Sequence, residues 1–148
     1  MTNRFEVAFN EILAVNKNGE VRNLMEKYLL TSGMCIKIEY ELIQILTDLG
    51  MDPVGRRDHL FLKEAILMAI LTPETWQTEY LEYFSRRENI TRERVRQMLH
   101  KAAWNHWRVD SKELLSKHFG HPVQADFEYV RPNHIELITL IAKEMRTR

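Results

Sequence analysis

The sequence predicts an all-α protein: a compact bundle of about six helices that contains a helix-turn-helix and follows an N-terminal helical hairpin. Three observations predict it. Apolar residues recur at helical spacing along most of the 148 residues. Only 5 Gly and 4 Pro interrupt the chain, and turn residues fall between the amphipathic segments. A chain of this length holds one well-packed domain with a short appendage, so we expect a single core.

Residues 1–33 are predicted to form the helical hairpin. Its turn falls at residues 16–19, whose Asn and Gly tolerate left-handed backbone. The apolar positions at helical spacing include Phe5, Phe9, Leu13, Leu24 and Tyr28. Because such a face needs to be covered, we expect the hairpin to pack on the rest of the chain or to form a homodimer, and we predict the homodimer.

Residues 34–148 are predicted to form the main domain. We expect its helices over residues 34–49, 59–71, 72 up to the turn at 89, 92–107, 111–119 and 133–146. Thr72 is the predicted cap of the third helix, with Pro73 in its first turn. Asp110 and Asn133 are predicted to begin capping boxes, because a Glu follows each three residues later. Residues 120–132 predict an extended loop or a short strand.

Several patterns narrow the class of protein. The longest apolar run, residues 65–71, is far shorter than the roughly 18–20 residues of a membrane span, and the N-terminus lacks the pattern of a secretory signal. We therefore expect a cytoplasmic protein without membrane contact. Cys35 is the single cysteine, which excludes an internal disulfide and a cysteine cluster for zinc. No cofactor is predicted.

The charge is unevenly distributed, although the net charge is zero. Residues 86–108 carry seven basic and two acidic side chains, a net charge of +5, and no other part of the chain has a basic excess. One basic face is typical of a protein that meets a polyanion. A solvated helix face that happens to be basic would give the same pattern, so charge alone does not decide between the two.

Residues 80–107 have the order of residues that two helices joined by a tight turn require. Ser85 is the small residue where the helices meet, Asn89 the turn residue, Ile90 the apolar plug and Thr91 the cap. Val95, with Met98 or Leu99, is predicted to face back onto the first helix. This order favours a helix-turn-helix with a recognition helix over residues 92–107, although a hairpin within a helical bundle shows similar features.

The predicted recognition helix has side chains suited to DNA. The outward-facing positions by helical period are Arg92, Glu93, Arg96, Gln97, His100, Lys101 and Trp104. Arg and Gln form paired hydrogen bonds with guanine and adenine edges, and other Arg and Lys side chains suit phosphates. The predicted DNA-binding residues are Arg86, Arg87, Thr91, Arg92, Arg94, Arg96, Gln97, His100 and Lys101. For Trp104 we expect burial within the chain.

From about Glu39 onward the chain resembles the C-terminal DNA-binding domain of the stage zero sporulation protein A family, the sporulation response regulators. The matching patches are residues 60–66, residues 91–107 with Arg94, Val95, Ala102 and Trp107 in register, Phe119 with Gly120, and Arg131 with Pro132 and Asn133. The resemblance implies a six-helix domain that binds DNA through a helix-turn-helix, often as adjacent copies. It also implies that Arg94 contacts DNA.

The chain departs from that family in two ways. About 38 residues precede the matching part, too few for the family's phosphorylatable receiver domain, so we expect no phosphoacceptor aspartate. The positions that read Glu-Arg in the family are Arg96 and Gln97 here, and a following Arg is His100. The family's target sequence is therefore not expected to apply.

The resulting hypothesis is a sequence-specific transcription regulator that binds double-stranded DNA and lacks a receiver domain. The alternative is an interaction protein that pairs with itself or with a full-length regulator and does not read DNA, which the zero net charge and the altered recognition helix favour. We predict no enzyme. His118 and His121 lie near Asp126, but no metalloprotease, phosphate-loop or serine-elbow motif occurs. The remaining histidines, His59, His100, His106 and His134, are predicted to be surface or capping residues.

Overall fold

Six α-helices make up most of the part of the protein that the computed structural model describes, which is the backbone of residues 33–147 and the side chains of residues 37–147. The helices are α1 (Gly33–Asp48), α2 (Arg57–Leu71), α3 (Trp76–Glu88), α4 (Arg92–His106), α5 (Ser111–Phe119) and α6 (His134–Arg146). Residues 33–147 contain no strand, so the segment after Gly120 is a loop, and the predicted all-helical class is confirmed. The predicted hairpin and its dimer interface lie, apart from Gly33, outside the described residues.

Helix α2 lies at the centre of the core. Eleven of its fifteen residues are buried, and it contacts α1, α3, α4 and α6. Phe61 of α2 stacks on Phe84 of α3 with ring centroids 5.0 Å apart. Lys63 of α2 donates to Glu39 of α1 over 2.7 Å. Helices α1, α3, α4 and α6 are therefore positioned by their contacts with α2.

The turn between α3 and α4 has the predicted chemistry. Asn89 has left-handed backbone angles, φ 54° and ψ 48°, which Asn tolerates better than most residues. The amide of Ile90 donates to the Ser85 carbonyl over 3.2 Å, and the Ser85 hydroxyl donates to the Ile90 carbonyl. The Thr91 hydroxyl accepts from the amide of Arg94 over 3.1 Å. These bonds set where α4 begins and confirm the roles predicted for Asn89 and Thr91.

The inner face of α4 is completely enclosed. Val95, Leu99, Ala102 and Ala103 are each at most 1% exposed, and α4 contacts α2, α3 and α6. Because helical residues repeat every 3.6 positions, this burial fixes which side chains face outward. None of the helices between residues 33 and 147 is long and apolar enough to span a lipid bilayer.

The predicted start of α3 at Thr72 is wrong. Thr72 is fully buried and ends α2: its hydroxyl and its amide both donate to the Met68 carbonyl, over 2.8 and 2.7 Å. A turn over residues 73–75 follows, and α3 begins at Trp76 after Thr75. The Thr72 hydroxyl is thus used to close one helix and does not cap the next.

One of the two predicted capping boxes is present. Asn133 accepts from the amide of Glu136 over 2.8 Å, and Glu136 accepts from the amide of Asn133 over 3.0 Å. The Asp110 side chain makes no capping bond. Instead, the Ser111 hydroxyl accepts from the amide of Arg108 over 2.8 Å, so the prediction for Asp110 is wrong.

Candidate nucleic-acid interface

The outer face of α4 is a continuous exposed surface. The exposed side chains of α4 are Arg92, Glu93, Arg94, Arg96, Gln97, His100, Lys101 and Asn105. By helical period Gln97 is opposite the buried residues, Arg94 and Lys101 lie on one side of it, and Arg96 and His100 lie on the other. Five of the six residues predicted to bind DNA on this helix therefore lie together on one surface, which we call the α4 face, and Arg92, seven positions before the buried Leu99, lies at its N-terminal edge.

Glu93 organises two of the side chains on the α4 face. It accepts from Nε of Arg96 over 3.1 Å and also from Nη2 of Arg96, and Nε2 of Gln97 lies 3.5 Å from its other oxygen. Hydrogen bonding to Glu93 raises the pKa of Arg96. These bonds hold Arg96 in a defined position beside Gln97.

Glu82 of α3 joins the two helices at the same surface. It accepts from Nε of Arg86 over 2.6 Å and also pairs with Arg92 at the start of α4. The hydrogen bond from Arg92 lowers the pKa of Glu82 more than the one from Arg86 does. Since the Arg86 and Arg92 side chains are 81% and 65% exposed, the cluster presents a net positive charge to solvent.

Arg94 and Lys101 differ from these paired cations. Both are exposed, and neither side chain has a hydrogen bond or ion pair with another described residue. Both lie on the side of α4 away from Arg96. A ligand can therefore bind either of these two cations of the α4 face without first displacing a carboxylate.

Arg87 lies away from the α4 face. Its side chain is 14% exposed and pairs with Glu64 of α2 and, over 2.9 Å, with Glu88. Its guanidinium carbon lies 5.1–5.5 Å from the ring centroids of Phe61, Tyr83 and Phe84. Consecutive helical residues point about 100° apart, so Arg87 turns into the α2–α3 contact whereas Arg86 turns to solvent.

Trp104 is only partly buried, so the burial predicted for it is incomplete. Its ring lies 5.7 Å from the ring of His100, and the guanidinium of Arg131 lies 5.8 Å above it. Arg131 belongs to the loop before α6 and was not among the predicted site residues. It adds a cation at the edge of the α4 face, and its distance from α4 in the chain explains why helical period did not identify it.

His134 and His59 are buried, in contrast to the prediction that they are surface or capping residues. His134 is 4% exposed, and its Nε2 lies 2.7 Å from the Tyr80 hydroxyl. Burial, with smaller contributions from His100 and Arg96, lowers the pKa of His134 to about 4, and burial raises the pKa of Tyr80 to about 12. His59 is 1% exposed and accepts from the amide of Asp52 over 2.8 Å.

The two histidines considered for a catalytic or metal site have separate partners. His118 pairs with Glu41 of α1 over 3.0 Å, and His121 pairs with Glu144 of α6 over 2.9 Å. Within residues 37–147, no three His, Cys, Asp or Glu side chains are grouped as a bound metal ion requires.

Over residues 33–147, the fold is all-helical and includes an exposed polar helix, α4, whose cations are in part paired with carboxylates and in part unpaired. Comparisons with family models, with curated proteins and with solved structures find no match for the chain. The resemblance to the sporulation regulators therefore stays a prediction based on the patches described above.

Proposed function

We propose that the protein is a transcription regulator that binds double-stranded DNA in a sequence-specific manner, with α3 and α4 as its helix-turn-helix and α4 as its recognition helix. One observation carries the proposal: Arg94, Arg96, Gln97 and Lys101 share one exposed face of a helix whose opposite face is completely buried. A helix held in this way fits the major groove, with its polar face toward the base edges.

The exposed cations around this helix suit the phosphate backbone. Arg86 and Arg92, joined through Glu82, lie where α3 and α4 meet, and Arg94 and Lys101 lie along one side of α4. Phosphate contacts of this kind supply affinity and set the position of the recognition helix without reading sequence. Arg87 is left out of this set because it is enclosed by aromatic rings and paired with Glu64.

Sequence reading is assigned to Arg96 and Gln97, with Glu93 between them. Arg pairs with guanine and Gln with adenine through two hydrogen bonds each, and Glu accepts from cytosine. Because Glu93 already bonds Arg96 and lies near Gln97, the three side chains enter the groove as one preordered group. A partner base that took the Arg96 guanidinium would also release Glu93 for a neighbouring base pair.

The resemblance to sporulation regulators supports the same proposal and extends it. A cytoplasmic regulator of this type would occupy adjacent or repeated sites as more than one copy. The differences at Arg96, Gln97 and His100 imply a target sequence of its own.

Selection of bound oligonucleotides from a random duplex pool tests the proposal. The protein is expected to enrich a defined motif, and Arg96→Ala and Gln97→Ala are each expected to lose the preference at one or two base pairs. Gln44→Ala, at an exposed position of α1, is the matched control and is expected to select the same motif as the unchanged protein. An unenriched pool, or one motif shared by all variants, would contradict the assignment.

A second candidate function, self-association without DNA reading, is favoured by one observation. Val109, Tyr129 and Val130 are 104%, 67% and 92% exposed. These three side chains line a cavity of about 710 Å³ together with Trp107 and Phe127. Grouped apolar exposure of this kind marks contact surfaces. If this candidate holds, Val130→Ser shifts a dimer toward monomer in sedimentation experiments, and Val54→Ser, at a similarly exposed valine, does not.

A further inference from the structure

A groove with apolar and basic side chains lies between the start of α5 and the loop before α6. It is the cavity of about 710 Å³ described above. Arg108, Val109 and Lys112 line it from the connection between α4 and α5 and from the first turn of α5. Residues 129–131 line it from the loop before α6. We call it the α5 groove, and it contains none of the side chains to which the proposed function assigns a DNA contact.

The floor of the α5 groove is fixed to the core. Trp107 and Phe127 meet edge to face with ring centroids 5.1 Å apart, and both are partly buried against the hydrophobic core. The amide of Phe127 donates to the Ala125 carbonyl over 3.1 Å, so the loop turns tightly at this point. A partner therefore meets an apolar floor that is already in place, which lowers the entropy cost of binding.

Among the described residues, three cations and no carboxylate line the α5 groove. The cations are Arg108, Lys112 and Arg131, and all three are exposed. None of their side chains has a hydrogen bond or ion pair with another described residue. The acidic residues beside them in the chain are not part of the lining: Asp110, Glu113 and Glu128. The groove therefore has a positive charge that the described part of the chain leaves unpaired.

The apolar and the basic side chains together indicate the class of partner. Two exposed valines and a tyrosine in one groove favour contact with apolar side chains, and unpaired cations favour anionic groups. The DNA backbone offers phosphates but no apolar side chains for the floor. A two-fold dimer brings the same patch together from both copies, so the three cations would face the same cations of a second copy. A protein segment with carboxylates and apolar side chains matches both features.

We propose that the α5 groove binds an acidic amphipathic segment of another protein, with apolar side chains of the segment on Trp107 and Phe127 and its carboxylates paired with Lys112 and Arg131. The guanidinium of Arg131 lies 5.8 Å from the ring of Trp104, at the edge of the α4 face. The partner would therefore bind beside the proposed DNA surface without covering its assigned contacts. The inference goes beyond the proposed function, because it does not require DNA.

Selection from a random library of short displayed peptides tests the groove in the full chain. The unchanged protein is expected to enrich peptides in which Asp or Glu flanks apolar side chains. Fluorescence anisotropy then measures the affinity of an enriched peptide. Lys112→Glu is expected to weaken its binding by at least about tenfold, as for the loss of one charge-assisted bond. Val130→Ser is expected to weaken it about tenfold, as for the loss of one buried apolar contact.

Two variants outside the α5 groove are the matched controls. Lys117→Glu makes the same charge change at an exposed position of α5, and Val54→Ser changes a valine that is 74% exposed. Both are expected to bind the peptide as the unchanged protein does. A library without enrichment, enrichment of basic peptides, or equal binding by Lys112→Glu and Lys117→Glu would overturn the proposal.

Two further measurements distinguish the other occupants. Without peptide, the unchanged protein and Val130→Ser are expected to sediment alike. A dimer that is lost in Val130→Ser would assign the groove to a second copy and overturn the proposal. Lys112→Glu is expected to bind a DNA duplex as Lys117→Glu does, and a selective loss in Lys112→Glu would assign the groove to DNA and overturn the proposal. The peptide selection contains no DNA, so failure of this inference and failure of the proposed function are told apart.

Discussion

The Tyr80 hydroxyl and the Nε2 atom of His134 lie 2.7 Å apart in the core, where they join the middle of α3 to the first residue of α6. Tyr80 is 2% exposed and His134 is 4% exposed. Both ends of this hydrogen bond belong to helices that contact α4. The bond therefore helps to hold the frame on which the proposed recognition helix rests.

Removal of this bond is expected to destabilise the fold. Tyr80→Phe leaves Nε2 of His134 buried without a partner, which costs about 1–3 kcal/mol in the free energy of unfolding. Urea denaturation measures the loss. Tyr40→Phe, at a tyrosine that is 65% exposed, is the control and is expected to unfold as the unchanged protein does. Equal stability of Tyr80→Phe and the unchanged protein would show that the bond contributes nothing.

Stability is expected to fall as the pH falls below neutrality. Burial lowers the pKa of His134 from 6.5 to about 4, so between these values the unfolded chain binds a proton that the folded chain does not. This favours unfolding by at most roughly 3 kcal/mol over that window. His59, whose pKa burial also lowers, acts in the same direction.

Urea unfolding at about pH 7 and about pH 4.5 measures this dependence. His134→Gln is expected to reduce the difference between the two conditions, and Lys117→Gln, at an exposed position of α5, is expected to retain it. An unchanged difference in His134→Gln would mean that other groups cause the acid sensitivity.

Two neighbouring arginines are expected to behave in opposite ways. Arg87→Ala removes the partner of Glu64 and a side chain packed between aromatic rings, and we expect a loss of roughly 2–4 kcal/mol in unfolding free energy. Arg86→Ala, at a side chain that is 81% exposed, is expected to change stability by less than about 0.5 kcal/mol but to weaken DNA binding. Similar stabilities of the two variants would contradict the placement of Arg87.

The cap of α4 is expected to contribute measurably to stability. Thr91→Ala leaves the amide of Arg94 without its side-chain acceptor and is expected to cost about 1 kcal/mol. Thr91→Ser keeps a hydroxyl at the same place and is expected to retain most of the stability. Thermal unfolding of the two variants measures their loss of stability. Equal losses in both would indicate that the methyl group of Thr91, and not its hydroxyl, stabilises the protein.

Local chemistry explains which structural features the sequence could predict. Asn89, Thr91 and Asn133 were predicted correctly because a turn or a cap is decided by atoms within a few residues. Thr72 and Asp110 show the limit of this reasoning. The Thr72 hydroxyl donates to the Met68 carbonyl, and the Asp110 side chain makes no capping bond, so a residue type that suits a cap does not by itself form one.

Contacts between residues far apart in the chain account for the features that the sequence could not predict. Arg87 pairs with Glu64, 23 residues away, and His134 bonds Tyr80, 54 residues away. Neither contact follows from helical period, which gives the direction of a side chain on its own helix but not what it meets there. The outward positions on α4 were predictable because they depend on that period alone.

The salt dependence of DNA binding tests the central claim, that the α4 face meets the DNA backbone, most directly. With phosphate contacts from Arg86, Arg92, Arg94 and Lys101, the logarithm of the binding constant is expected to fall with a slope of roughly −3 to −4 against the logarithm of salt concentration. Lys101→Ala is expected to reduce that slope by about 1, whereas Lys117→Ala, at an exposed position of α5, is expected to leave it unchanged. No DNA retention at low salt, or the same slope in Lys101→Ala as in the unchanged protein, would contradict the claim.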